Sequence, residues 1–160
     1  MNAANNQMEG CFMPGHHCID NAIHTYAGVR LRLECHDIMQ KQGYLEPTGK
    51  AKITKAYNLP SQYIIHTVGP IVRGRLEHKH EVLLESCYES CLHLAVKKGL
   101  TSIAFCCIST GVFGYPKKEA AIVAIKTVKK IIKSHDIKVI FNVFSDEDYY
   151  IYQKIMKDFK

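Results

Sequence analysis

The chain has 160 residues, 47% hydrophobic and 22% charged, which suits one globular domain over 1–160 and excludes a low-complexity polypeptide. No apolar run approaches the roughly 18 residues of a membrane span, and MNAANNQMEG lacks the basic and apolar regions of a secretory signal. Seven irregularly spaced cysteines exclude a disulfide framework; a net charge of +6, from 21 Lys and Arg against 15 Asp and Glu, favours anionic partners as a class.

These features predict a cytoplasmic protein with reduced thiols and no membrane partner. The first informative segment is GCFMPGHHCIDNAIH, Gly10 to His24, with two cysteines and two histidines inside eight residues. Cys11, His16 and Cys18 follow C-x4-H-x-C. In an extended chain His16 and Cys18 point one way and His17 the other, while Cys11 can fold back across the Met-Pro-Gly turn. On spacing alone two readings stand. One is three donors with an open fourth position, as in a catalytic zinc site; the other is reduced loop cysteines beside exposed histidines. Asp20 is open in the same way, as a site residue or as the cap of a helix beginning near Asn21.

Ile19, Ile23, Ala27, Leu31, Cys35 and Ile38 recur at spacings of three and four and predict one amphipathic helix. Ala51 to Tyr57 (AKITKAY) alternates like a half-buried strand, and Tyr63 to Val68 (YIIHTV) follows the Pro-containing turn NLPSQ, so the two should form a hairpin. His66 in that second strand reads as a hydrogen-bonded core histidine. Gly69 to His80 is the longest expected loop. Leu83, Leu84, Cys87, Cys91, Leu94 and Ala95 predict a helix with both cysteines in its apolar stripe. Ser102 to Ile108 (SIAFCCI) and Lys138 to Phe144 (KVIFNVF) read as strands buried on both faces, with Cys106 and Cys107 structural. Ala121, Ala124, Ile125, Val128, Ile131 and Ile132 predict a helix after Pro116, and Asp146 to Phe159 a last one. The AVKKG and KTVKK clusters read as solvated helix faces. Alternating helices and strands argue for an α/β layered sheet, whose ligands bind where strands run into helices.

One such loop, ISTGVFGYPKKEAA from Ile108 to Ala121, fits neither the Walker nor the dinucleotide pattern. Gly111 and Gly114 would let its amides turn toward an anion ahead of a helix N-terminus; a plain glycine turn is the alternative.

Together NAANN, TGKAKITKAYNLPSQYIIHTVGP and ISTGVFGYP closely resemble the macro domain family, over essentially the whole chain. The family binds ADP-ribose, and many members hydrolyse it from proteins. Where ordinary members carry a glycine-rich stretch after NAAN, this chain has GCFMPGHHC, which resembles the zinc-dependent macrodomain subgroup. The resemblance implies a three-layer α/β/α mixed sheet with helices on both faces, and Zn2+ held by Cys11, His16 and Cys18. It implies that Asn5 contacts the proximal ribose and that Asp20 lies beside that ribose in hydrolytic members, so both are candidate catalytic residues. Asn21, the diphosphate loop Ser109, Thr110, Gly111, Val112, Phe113, Gly114 and Tyr115, and Phe144 near the distal adenosine complete the expected ligand contacts. The partners implied are ADP-ribose, mono-ADP-ribosylated protein and, through the subgroup, a sirtuin-type ADP-ribosyltransferase.

The chain departs from the family at one point. NAAN ends a strand in the family, with at least one further element before it carrying an adenine-recognising Asp; here Met1 directly precedes NAANN. The expectation is an N-terminally truncated macro domain with its N-terminal strands missing, each unpaired buried ladder group costing about 1–3 kcal/mol. The expected function is zinc-dependent hydrolysis of ADP-ribose from protein side chains; a non-catalytic ADP-ribose reader with structural zinc is the alternative. A nucleic-acid binder would interleave aromatic and basic residues on one face, and no such pattern is found, so no nucleic-acid partner is expected.

Overall fold

The computed structural model describes residues 1–158. In chain order the elements are β1 (Asn2–Ala4), α1 (Ile19–Ala27), α2 (Val29–Gln42), β2 (Ala51–Lys55), β3 (Tyr63–Val68), α3 (His78–Lys97), β4 (Ser102–Phe105), α4 (Lys117–Ile132), β5 (Lys138–Phe141) and α5 (Asp146–Asp158). β3 is the centre of a mixed sheet ordered β1-β3-β2, parallel to β1 and antiparallel to β2, and β4 and β5 pair in parallel as a second sheet. The backbone nitrogen of Met1 donates to the Ala104 carbonyl at 2.5 Å, so the β1 and β4 edges meet.

β3 shows how the layers arise. Successive strand side chains point to opposite faces. Ile65 enters the larger core with Leu84, Cys87, Tyr88 and Cys91 of α3 and Ala124 and Val128 of α4. Its neighbour Ile64 enters a separate core with Ala27 of α1 and Leu31 and Cys35 of α2. Each buried Leu or Ile contributes about 1.5–3 kcal/mol, so both faces of this sheet hold helices. His66 shares the face of Ile64, and β1 in register sets Asn2 opposite His66 and Ala4 opposite Val68. Polar groups are thereby delivered beneath α1. No helix among the described residues is long and apolar enough to cross a membrane.

Several expectations change. The helix predicted across Ile19 to Ile38 breaks at Gly28, whose φ of +88° and ψ of 176° suit glycine, and where a Cβ would lie 2.9 Å from Asn58 Nδ2. NAAN is not bare of strand: Asn2–Ala4 pairs with β3. α3 begins at His78, inside the expected loop. The β4 and β5 segments end at Phe105 and Phe141, and β4 is buried on one face only, Ile103 and Phe105 inward with Ser102 and Ala104 exposed. Cys106 and Cys107 therefore lie beyond the strand, half-buried. The hairpin β2–β3, the buried Cys87 and Cys91 and the helix following Pro116 are as expected. The last helix is α5, and Phe159 lies outside the described residues.

Candidate active site

The loop between β1 and α1 gathers Cys11, His16 and Cys18, with all three potential ligand atoms within 4.8 Å of one another. Cys11 Sγ and His16 Nδ1 are 3.1 Å apart, and all three residues are half-buried while His17 is exposed. Cys18 also shapes the helix, because its Sγ accepts the Asn21 backbone N–H at 3.4 Å and so caps α1. Asp20, which the sequence leaves open as a cap or a site residue, sits instead in the first helical turn and is buried. Burial raises the Cys18 thiol pKa against the pull of the Asn21 N–H, and the neighbouring Cys11 raises it further. Asn21 also reaches back with Nδ2 to the Cys11 carbonyl at 3.5 Å, so its backbone N–H and its side chain together tie both ends of the loop to one residue. Asn5 organises the loop's start: its Oδ1 accepts from the Gln7 and Met8 N–H groups at 3.0 and 3.2 Å, and its Nδ2 donates to the Gly10 carbonyl at 3.0 Å.

Asp20 belongs to a buried polar network. The Asn2 amide spends both of its N–H bonds, one on Asp20 Oδ1 at 2.7 Å and one on His66 Nδ1 at 3.2 Å. His66 Nδ1 must then be an acceptor, so its proton lies on Nε2 and donates to Thr54 Oγ1 at 2.9 Å. Burial holds the His66 pKa down at about 3, with His24 nearby lowering it too, so the ring is neutral. His24 Nε2 lies 3.6 Å from Asp20 Oδ1, and burial followed by the Arg32 charge holds its pKa at about 4. Burial raises the Asp20 pKa, while the Asn2 hydrogen bond, Arg32 and His16 each oppose that rise.

His24, Cys35 and His66 form a second cluster of potential donors, entirely buried. Both nitrogens of His66 are already committed to Asn2 and Thr54, so this cluster does not offer three free donors. In the loop cluster Cys11 and His16 face each other and Cys18 accepts the Asn21 N–H, contacts that a metal on the same three atoms can replace or share, and all three residues are half-buried. Two thiols and an imidazole suit Zn2+ by softness and number.

The second loop leaves β4 and turns before α4. Ser109 takes φ of +66°, an uncommon conformation for a side-chain-bearing residue, and its Oγ is buried without a protein partner. Gly69, after β3, faces it so closely that a Cβ there would overlap Ser109 Oγ. The loop is braced by Tyr115 N–H to Ser109 O at 2.9 Å, Gly114 N–H to Gly111 O at 3.0 Å and Val72 N–H to Phe113 O at 2.7 Å. Among the described residues the N–H groups of Thr110, Gly111, Val112 and Phe113 make no hydrogen bond, which leaves four amides for an anion. Tyr115 is buried, Val112 exposed, and Phe144 stands fully exposed beyond β5 rather than in the core.

The structure thus brings Cys11, His16, Cys18, Asp20, Asn21 and Asn5 together around one loop. It sets Ser109 to Tyr115 at the carboxyl end of β4 and Phe144 beyond the end of β5. Sequence reasoning missed Asn2, His24 and Gly69. Asn2 belongs to the NAANN motif, but its inward direction depends on the strand register with β3.

A family model described as Macro domain matches residues 1–124. A protein-ADP-ribose hydrolase of Treponema medium is 54% identical over 158 residues, 98% of this chain and 60% of that protein. The chain thus spans about 60% of the length of the curated relative it matches. Among solved structures, the Oceanobacillus iheyensis macrodomain with ADP matches with a TM-score of 0.89 at 40% identity, covering 99% of this chain and 82% of that one. The Trypanosoma brucei macrodomain in complex with ADP-ribose matches with a TM-score of 0.80 at 37% identity, covering 97% of this chain and 61% of that one.

Proposed function

The chain belongs to the macro domain family, and on that premise we propose that it acts in a zinc-dependent hydrolase that releases ADP-ribose from mono-ADP-ribosylated protein side chains. The observation that carries this reading is the placement of Asp20 two residues beyond Cys18, in the first turn of the helix that Cys18 Sγ caps. One carboxylate and one metal-ligand cluster thus share a helix N-terminus. The similarity to protein-ADP-ribose hydrolases supports the reaction class.

The bond to be broken joins the anomeric carbon of the proximal ribose to the side-chain atom, and positive charge develops on that carbon. Water supplies the hydroxyl that replaces the side chain, and its proton leaves with the released group. Asp20, with Oδ1 held by Asn2, either faces the developing charge or takes the proton from water. The Thr110–Phe113 amides hold the diphosphate, and the neighbouring α4 N-terminus adds a favourable field. Zinc on Cys11, His16 and Cys18 would supply Lewis-acid polarisation of a ribose hydroxyl or substrate oxygen, milder than at three neutral histidines because two thiolates offset its charge. The proposal extends to a cytoplasmic setting, on the composition, and to a sirtuin-type ADP-ribosyltransferase as the source of substrate, on the resemblance of the GCFMPGHHC loop.

The test is turnover of a mono-ADP-ribosylated protein with and without chelator. Release of ADP-ribose that stops on chelation and returns with zinc is expected. Full turnover by demonstrably zinc-free protein overturns the metal's part. Tight ADP-ribose binding with no turnover identifies a reader instead.

A further inference from the structure

The loop that holds Cys11 is gripped from outside by α2. Arg32, one turn past the Gly28 break, sends Nε to the Glu9 carbonyl at 3.0 Å. The same guanidinium lies over the Phe12 ring, with Cζ 4.4 Å from its centroid. These contacts fall two residues before and one residue after Cys11. One turn further along α2, His36 Nδ1 meets Glu9 Oε1 at 2.8 Å. Between the two Arg32 contacts, Gly10 has φ of +101° and is packed so tightly that a Cβ would lie 3.0 Å from His24 Cγ and 3.4 Å from Arg32 Nη2. Glu9 to Phe12 therefore has one seat, set by Arg32 above and His24 below.

We propose that Arg32 is a positioning residue for the Cys11–His16–Cys18 cluster, holding Cys11 in place so that the three donors are assembled before a metal arrives. This rests on the reading that the cluster binds zinc. Phe12 is mostly exposed, so its ring is held by Arg32, while Asn5 and Asn21 hold only the Gly10 and Cys11 carbonyls on the inner side. A planar guanidinium can donate in its plane to Glu9 and stack by its face on Phe12 at once; an ammonium can keep the charge but not both geometries. Arg32 touches the loop and leaves the Ser109–Tyr115 amides alone, so it should govern metal retention and spare diphosphate binding.

The experiment uses zinc-loaded full chain and measures zinc transfer to a chromogenic chelator, ADP-ribose affinity by calorimetry, and melting in the presence of chelator. Arg32→Ala should weaken zinc binding roughly 10- to 100-fold, the range for residues that orient metal ligands. Arg32→Lys should recover only part of the loss. Phe12→Leu, which keeps bulk and removes the aromatic face, should move the same way by less. ADP-ribose affinity should stay within about twofold of the parent in all three. A parent that binds no zinc sinks the metal reading and this inference with it. A parent that binds zinc, with Arg32→Ala holding it equally tightly, sinks this inference alone. Joint loss of zinc, ADP-ribose binding and cooperative melting in Arg32→Ala and Arg32→Lys would show general packing and overturn it too.

Discussion

Cys18 has two roles that different substitutions separate. Serine offers an oxygen to the Asn21 N–H, so Cys18→Ser should keep the α1 cap while losing the soft metal donor. Cys18→Ala loses both. Zinc retention should collapse in both variants, whereas chelated Cys18→Ala should melt below chelated Cys18→Ser by about 0.5–2 kcal/mol of stability. His17→Ala should retain zinc, since His17 is exposed beside the cluster. Equal melting of the two Cys18 variants would rule out the capping role. Asn2 makes a second case. Asn2→Ala strips the donors from buried Asp20 and His66 together, which should cost about 1–3 kcal/mol. It should lower kcat roughly 100-fold through a misplaced carboxylate while leaving ADP-ribose affinity largely intact. A fall in affinity as large as the fall in kcat would defeat that assignment. That Cys11, His16 and Cys18 would come together was legible in the sequence, because alternation in an extended segment aligns His16 with Cys18 and the Met-Pro-Gly turn returns Cys11 to them. Asn2 and Arg32 were not, because asparagine in a strand and arginine on a helix look the same whether or not they serve a site.

At the scale of elements, Gly28 shows why periodicity misled. Ile23 and Ala27 in α1 and Leu31 and Cys35 in α2 keep a spacing of four straight across the break, so the apolar pattern has no gap. Only the backbone angle separates the helices. Gly28→Ala should cost about 1–3 kcal/mol, since this region of φ and ψ suits glycine alone and Asn58 blocks the added carbon. Chemical denaturation measures it, and a neutral result would mean that the two helices can fuse. The loop from Ser109 to Tyr115 makes the complementary point. In sequence Gly111 and Gly114 look alike, but the fold uses them differently. Gly114 has φ of +70° and a Cβ there would lie 2.8 Å from the Val72 carbonyl, while a Cβ on Gly111 meets nothing within 4 Å. Gly114→Val should therefore destabilise the fold. Gly111→Val should melt like the parent and lose ADP-ribose affinity, because the added bulk keeps a phosphate from the bare amides. Unchanged calorimetric affinity for Gly111→Val would take this loop out of the site.

For the whole molecule, the layered fold was legible because strand and helix patterns alternate, and the β2–β3 hairpin because the Pro-containing turn NLPSQ separates two strand-like runs. What α1 covers was not legible, since it depends on parallel pairing between segments more than sixty residues apart. That pairing buries two neutral histidines from different elements, and they pull stability down as pH falls, against a smaller opposing contribution from Asp20, whose pKa burial raises. His24 has a native pKa of about 4 and His66 of about 3, against about 6.5 in an unfolded chain. A histidine whose pKa is lowered by folding adds full stability above pH 6.5 and loses it as pH falls toward the native value, because only the unfolded state takes up the proton. Two such groups give a slope approaching about 2.7 kcal/mol per pH unit, so roughly 4 kcal/mol is lost between pH 7 and pH 5. That is a large share of the usual 5–15 kcal/mol for a domain. The measurement is denaturant unfolding of chelated protein from pH 7.5 to 4.5, since chelation removes proton uptake by metal ligands from the balance. His66→Gln should be less stable at pH 7.5, with the Asn2 and Thr54 network disturbed, yet show about half the parent's slope below pH 6.5. A parent whose stability stays flat down to pH 5 would mean that the buried histidines accept protons in the folded state and that the network beneath Asp20 is more open than its geometry implies.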